Sequence, residues 1–313
     1  MNAMPTYHDI VAARQRIADY AYITPLLRNE TLNRLAGADI WFKCENLQRT
    51  GAFKMRGATN FCIKNWEHIQ YRGVATHSSG NHARSLACIA RLLGIPAHIV
   101  MPENSPATKV RGVQHEGGHI TFCASTLAAR EETLAYMEQQ TGALFVPPYD
   151  HPDIIAGQGT AVMEALDVMP MPHVVIPPVG GGGLLSGSAL AAKGRYPGIT
   201  VYGAEPAGAD DAYRSFVSGT RVASHTPETI ADGLRTTLGV LPFQIILSQV
   251  DGIMLAYDTT IMQAMKLLVD ELKVVVEPSG AVPLAAILQN KSAFAGKTVL
   301  VVISGGNTDL VTL

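Results

Sequence analysis

The chain has 313 residues, of which 47% are hydrophobic and only 16% charged, and its formal net charge is −2. That length allows a large core and, by usual domain size, two domains. The small net charge and the lack of any basic run exclude a nucleic-acid or membrane-surface protein, and no apolar stretch approaches the length of a membrane span.

Residues 1–10 hold no basic stretch followed by an apolar one, so no secretory leader is expected and a cytoplasmic protein is. Ile10, Val11, Ala13, Ile17 and Ala18 give a helical face. A strand is expected over 40–45. A second, over 73–77, runs into Ser78-Ser79-Gly80-Asn81. Helical spacing covers 82–93 and stops at Gly94. A strand over 97–101, a helix over 106–114, a strand over 120–123, a helix over 127–139 and a strand over 144–146 complete a first series. The second series starts with a helix over 154–166. A strand over 174–176 then leads into Gly180, Gly181, Gly182 and Gly183, followed by a helix over 184–193 and a strand over 200–204. Asp258 is placed as the cap of a long helix to Leu272. A strand over 274–276, a helix over 278–288 and a strand over 298–303 end the chain. This alternation predicts an α/β fold with parallel sheets and right-handed crossovers. The four cysteines, Cys44, Cys62, Cys88 and Cys123, lack Cys-x-x-Cys spacing and are expected as buried free thiols, not as a zinc site or disulfide framework.

Four short segments can carry chemistry. Thr50-Gly51-Ala52-Phe53-Lys54 places Lys54 in the first turn of a helix, where the helix dipole and the apolar Phe53 and Met55 favour a neutral amine. A neutral lysine is a nucleophile toward an aldehyde; taken alone, Lys54 reads more readily as a surface lysine. Ser78-Ser79-Gly80-Asn81-His82 joins a strand to a helix, which suits anion binding or simply a serine cap. The four glycines at 180–183 allow close approach of backbone N–H groups to a phosphate. They do not form a Walker-type loop and make a weak dinucleotide fingerprint. Ser304 follows the last strand, at the edge where α/β sheets bind ligands.

In order and spacing these segments resemble the fold-type II pyridoxal-phosphate enzymes, a tryptophan synthase β-like fold, and within them the serine racemase and serine/threonine or 3-hydroxyaspartate dehydratase group. The resemblance runs from Thr24-Pro25-Leu26 to Gly305-Gly306-Asn307. It takes in Glu45-Asn46-Leu47-Gln48, Ile155-Ala156-Gly157-Gln158-Gly159-Thr160, Ile230-Ala231-Asp232-Gly233 and Glu277-Pro278-Ser279-Gly280. It implies that Lys54 holds pyridoxal 5′-phosphate as a Schiff base and later acts as the base at the substrate Cα. Phe53 would pack on the cofactor ring, Asn81 bond its O3′, and Gly180, Gly181, Gly182 and Gly183 hold the phosphate. Ser304 would meet the pyridine nitrogen, and Ser78, Ser79, Asn81 and His82 the substrate carboxylate.

A serine hydroxyl leaves the pyridine neutral and the electron sink weak, which favours α,β-elimination of water from a hydroxy amino acid over a free carbanion. The expected products are a keto acid and ammonia; the expected substrates are L-serine, L-threonine or 3-hydroxyaspartate. For the last, Arg84, His77, Arg130 and Arg235 are candidate partners of the second carboxylate. Ser79 adds a second acid/base opposite Lys54, so racemase activity is the near alternative, as a side or main activity. A non-catalytic pyridoxal-phosphate or amino-acid-binding regulator and a nicotinamide-dependent dehydrogenase are rivals of other classes.

The resemblance further implies a divalent cation on Glu205, the Ala209 carbonyl and Asp211. Oxygen ligation suits Mg²⁺, with Ca²⁺ or Mn²⁺ as variants, and the competing reading is a solvated acidic turn. Ala83-Arg84 and His115-Glu116 depart from the nucleotide-responsive pattern of animal serine racemases, so ATP activation is not expected. No regulatory domain is expected after Leu313. A homodimer is implied, with a large unit at 1–66 and 151–313, a small mobile unit at 67–150, and the cofactor in the cleft between them.

Overall fold

Short β-branched runs separated by helices fold here into two sheets. The computed structural model describes residues 3–308, so the ends of the expected large unit, 1–2 and 309–313, lie outside the described residues. The strands are β1 (Leu26–Leu27), β2 (Asp39–Cys44), β3 (Val74–His77), β4 (Ala97–Pro102), β5 (His119–Cys123), β6 (Leu144–Phe145), β7 (Val174–Ile176), β8 (Thr200–Pro206), β9 (Gly252–Ala256) and β10 (Thr298–Ile303). One sheet has the order β1-β2-β10-β7-β8-β9 and the other β5-β4-β3-β6. Every pairing is parallel except β1 with β2.

β10 shows why the larger sheet is stable. Its side chains alternate between two cores, as a strand's period of two requires. Val299, Val301 and Ile303 pack with Ile40, Phe42 and the helix Pro278–Gln289. Leu300 and Val302 face the helices Pro152–Val168 and Gly183–Arg195. A strand covered on both faces reads as a continuous apolar run, which is what made 298–303 legible.

Three helices meet with almost no side chain between them. A Cβ on Gly157 would come 2.7 Å from the Arg56 carbonyl, and one on Gly159 would come 2.6 Å from that of Gly187. The glycines of the 155–160 motif thus draw together the helix Lys54–Lys64 and the helix that follows the glycine run. Below this contact lies a wholly buried ion cluster. Arg56 pairs with Glu45 (2.8 Å) and Glu164 (2.6 Å), and Lys43 pairs with Glu164 (2.7 Å). Two cations against two carboxylates leave no net charge, so removing any one member strands a buried charge.

Two expectations are corrected. Residues 274–276 form no strand. They span the gap between Lys273, in the left-handed region at φ 58°, and Glu277, which caps the next helix; the Val275 carbonyl is taken by Asn46 Nδ2 at 3.0 Å. Asp258 does not cap its helix: that helix starts at Asp258 with Tyr257 at the cap, and the carboxylate accepts instead from Thr229 Oγ1 (2.6 Å) and Ile230 N (2.9 Å). The helix ends at Leu267 and widens into a π-turn, Leu268–Leu272. Strands β1 and β9 and the helices Glu30–Ala36 and Val240–Gln249 had no sequence counterpart.

Candidate active site

Three loops converge because all three leave the C-terminal ends of parallel strands: Ser78 to Asn81 after β3, the glycine run after β7, and Ser304 after β10. Lys54 joins them through its backbone. Ala52 bridges Gly305, and Phe53 N–H donates to the Ser304 carbonyl at 3.0 Å. The turn before it needs Gly51, at φ 74°, whose missing Cβ would strike the Asn307 side chain at 2.6 Å.

Lys54 is the first residue of its helix. Its Nζ donates to the Pro148 carbonyl at 2.6 Å and lies 5.1 Å from the Phe53 ring and 5.8 Å from the Tyr149 ring. Burial among these groups pushes its pKa down to about 8. The surface-lysine reading therefore fails.

The glycine run is built into tight space. A Cβ on Gly181 would enter the Tyr149 ring at 2.4 Å, one on Gly180 would meet Leu234 Cα at 2.9 Å, and Gly182 (φ 87°) would meet Leu238 and Pro242 at 2.7 Å. The helix Gly183–Arg195 begins here, so its free N–H groups face the turn. Side-chain-free backbone at a helix start is a cradle for a phosphate.

Asn81 opens the helix Asn81–Leu93. Its Nδ2 donates to Glu277 Oε1 (2.7 Å) and its Oδ1 accepts from Asn307 Nδ2 (2.8 Å). His82 is buried, with Nε2 at 3.0 Å from the Val146 carbonyl. A carbonyl only accepts, so Nε2 carries the proton and Nδ1 is a bare acceptor. Burial, with the Lys54 charge, pushes its pKa down to about 3. The ring thus offers no proton to a carboxylate, and any contribution of His82 comes from its backbone N–H. Ser78 Oγ accepts weakly from Gly80 N–H (3.4 Å), and Ser79 is half-buried beside it.

Glu277 was missed as a site residue. It is buried, and that burial, reinforced by Asp232, pushes its pKa up to about 7. Its motif was quoted, yet nothing local signals that a residue 196 positions from Asn81 meets it.

The expected cation loop lies at the end of β8, and Asp211 reaches Leu238, which borders Gly182. Glu205 accepts from the N–H groups of Ala212 (2.9 Å) and Tyr213 (2.8 Å), and Asp211 Oδ2 accepts from Leu238 N–H (2.7 Å). Glu205, Asp211 and Ala209 are buried, which rules out a solvated turn. Burial raises both carboxyls, Glu205 well above its usual value. Asp211 Oδ1 and His225 Nε2 face each other at 3.3 Å, each lacking a hydrogen-bond partner. Among the described residues no three His, Cys, Asp or Glu side chains converge as a ligand cluster.

Residues 17–305 match the family described as "Pyridoxal-phosphate dependent enzyme". The beta-hydroxyaspartate dehydratase of Paracoccus denitrificans (strain Pd 1222) is 47% identical over 307 residues, covering 98% of each chain. The serine racemase of Dictyostelium discoideum is 44% identical, covering 99% of this chain and 97% of its own. The solved structure of maize serine racemase superposes with a TM-score of 0.96 at 42% identity, over 99% of this chain and 96% of that one. The chain belongs to the pyridoxal-phosphate dependent enzymes and has their fold-type II architecture.

Proposed function

We propose that this enzyme eliminates water from a small hydroxy amino acid, 3-hydroxyaspartate before L-serine and L-threonine, and releases an enamine that takes up water to give a keto acid and ammonia. The observation that carries the reading is Lys54, a buried amine with a pKa of about 8 and only a carbonyl for a partner. The cofactor fits: the Cβ-free turn at 180–183 suits its phosphate, and the near-neutral amine suits its aldehyde.

When bound, pyridoxal phosphate supplies the electron sink that acidifies the substrate's α-proton. Lys54 takes that proton, the amine being basic enough near neutrality to hold it. The Ser304 hydroxyl would meet the ring nitrogen without protonating it, and Phe53 would pack on the ring. Asn81 would donate to O3′. The Ser78 and Ser79 hydroxyls and the N–H groups at the start of the helix Asn81–Leu93 hold the α-carboxylate. The unit at 67–150 closes on the rest of the chain and excludes water. Lys109 with Asp232 and Arg84 with Asn307 are the contacts that such closure uses.

The preference for 3-hydroxyaspartate rests on which polar groups are free to meet a second carboxylate. Arg84 donates through Nη1 to Asn307 (2.9 Å), although its Nε is buried without a hydrogen-bond partner, and Arg235 donates to the Thr229 carbonyl (2.9 Å). Arg130 Nε and His77 Nδ1 are buried without a partner, and His77 lies close enough to Arg130 for that charge to lower its pKa further, after burial. A second carboxylate would satisfy both. Racemisation is the second reading, carried by Ser79 as the acid opposite Lys54.

The same reading places a Mg²⁺-type cation at Glu205, Asp211 and the Ala209 carbonyl, where the unpartnered Asp211 Oδ1 fits a ligand atom. It includes a homodimer, supported by exposed Tyr22, Ile23, Leu47 and Val275, which neighbouring hydrogen bonds of Gln48 and Asn46 hold in one region. Four buried, unpaired cysteines suit the reducing cytoplasm.

The test is a substrate panel with both 3-hydroxyaspartate diastereomers, serine and threonine, scoring keto acid and D-amino acid together. Keto acid forming fastest from a hydroxyaspartate supports the proposal. D-serine without keto acid makes the enzyme a racemase, and no product from any substrate leaves a binding protein.

A further inference from the structure

A line of side chains runs from the helices of the smaller sheet into the site. Arg84 Nη1 donates to Asn307 Oδ1 (2.9 Å). Asn307 Nδ2 donates to Asn81 Oδ1 and to the Thr50 carbonyl (2.8 Å each). Asn81 Nδ2 then donates to Glu277 Oε1 (2.7 Å). Behind Arg84 stands buried Glu116, 3.9 Å from Nε and pinned by Arg91 at 2.7 Å. Gly112 borders the arginine stem, where a Cβ would come 3.4 Å from Cδ, an ordinary contact.

The two ends of an asparagine amide are nearly equal in size and opposite in role. A pair of them sits in either sense unless a partner unable to change role fixes one. Glu277 cannot serve, because with a pKa near 7 it accepts when ionised and also donates when protonated. The groups facing it are Asp232, which raises it, and Asn81, Lys109 and the Asn307 N–H, which lower it. The Thr50 carbonyl, an acceptor only, holds Asn307 from one side. Arg84, a donor only, holds it from the other.

We propose that Arg84 is a positioning residue that sets the polarity of the Asn307–Asn81 amide chain, so that Asn81 always presents N–H to the cofactor's O3′. The proposal rests on Asn81 meeting O3′, as read above. Without Arg84, protonated Glu277 can donate to Asn81 Oδ1 and turn the amide round, against the Thr50 carbonyl alone. With Arg84 in place, either form of Glu277 is served by the same arrangement.

The experiment follows the visible absorbance of cofactor-loaded protein and its cofactor dissociation constant from about pH 6 to about pH 8.5, across the Glu277 value of about 7. Wild type and Arg84→Lys, which also only donates, should share one profile, in which Lys54 titrates near 8. Arg84→Met should add to that profile a spectral change centred near 7. Its cofactor affinity should fall about tenfold below wild type at the acid end, the worth of roughly one hydrogen bond. Adding Glu277→Gln should abolish this difference. The proposal is overturned if Arg84→Met matches the wild-type profile, or if Arg84→Lys departs from it as Arg84→Met does, which would make the role one of packing. Should Arg84→Met fail to fold, Arg84→Gln, whose amide takes either role, faces the same comparison. A wild-type protein with no visible band at all would sink the Lys54 and Asn81 assignments instead.

Discussion

Lys54 Nζ stands 2.6 Å from the Pro148 carbonyl, and among the described residues no acidic side chain accompanies it. The amine comes from a helix start tied to the end of β10, and the carbonyl from the segment that follows β6. A lysine held by a neutral acceptor between two aromatic rings gains little from its charge, so desolvation decides its pKa.

That balance predicts the behaviour of the cofactor-free protein. Lys54 has a folded pKa of about 8, below its ordinary 10.5, so the unfolded chain binds the proton more tightly. The cost is fully present below pH 8 and is relieved as pH rises toward 10.5. Cofactor-free Lys54→Met should therefore be more stable than wild type at pH 7, by up to about 3 kcal/mol. The gap should close with rising pH in denaturant titrations, and a gap that widens would contradict the assignment. The same variant should lose activity and the visible cofactor band.

Ser79→Ala should suppress D-amino acid formation while sparing keto acid formation. Chiral chromatography beside a keto-acid assay reads both. Equal loss of the two would show that Ser79 only positions substrate.

Arg130→Gln should raise KM for 3-hydroxyaspartate about 10- to 100-fold, the worth of a charge-assisted hydrogen bond, and leave serine unchanged. Steady-state kinetics on both substrates decides this. A proportional loss on serine would place Arg130 outside the specificity contact.

Chelation should lower the melting temperature, and Mg²⁺ should restore it, because an unneutralised pair of buried carboxylates at Glu205 and Asp211 is costly. A thermal scan indifferent to chelator would remove the cation.

Gly181→Ala should weaken cofactor binding, since its Cβ would enter the Tyr149 ring at 2.4 Å and force the phosphate turn open. Equilibrium dialysis of the cofactor measures the effect. Unchanged affinity would mean the turn does not hold the phosphate.

The class of fold and the four chemical loops were legible because each signal is local. Val174–Ile176 and Thr298–Ile303 match the expected strands to the residue, since these apolar β-branched runs stop at Pro177 and Ser304. The same rule misread 274–276, where a valine run bridges a left-handed Lys273 and a helix cap, and its carbonyl goes to a side chain from elsewhere. β9, Gly252–Ala256, escaped notice because Met254 and Leu255 carry no strand preference; burial beside β8 makes it a strand.

By itself, then, the amino-acid order determined which backbone turns exist, where helices start, and which residue types stand at those starts. Tertiary structure alone decided which groups share a proton or a charge. Burial lowered Lys54, raised Glu277, and turned the His82 ring toward Val146. It left Arg130 Nε without a partner while tying Arg84 Nη1 to Asn307, 223 residues away. Propensity acts over a few neighbouring residues, whereas desolvation and hydrogen-bond pairing depend on distances in space that the chain's own spacing does not contain.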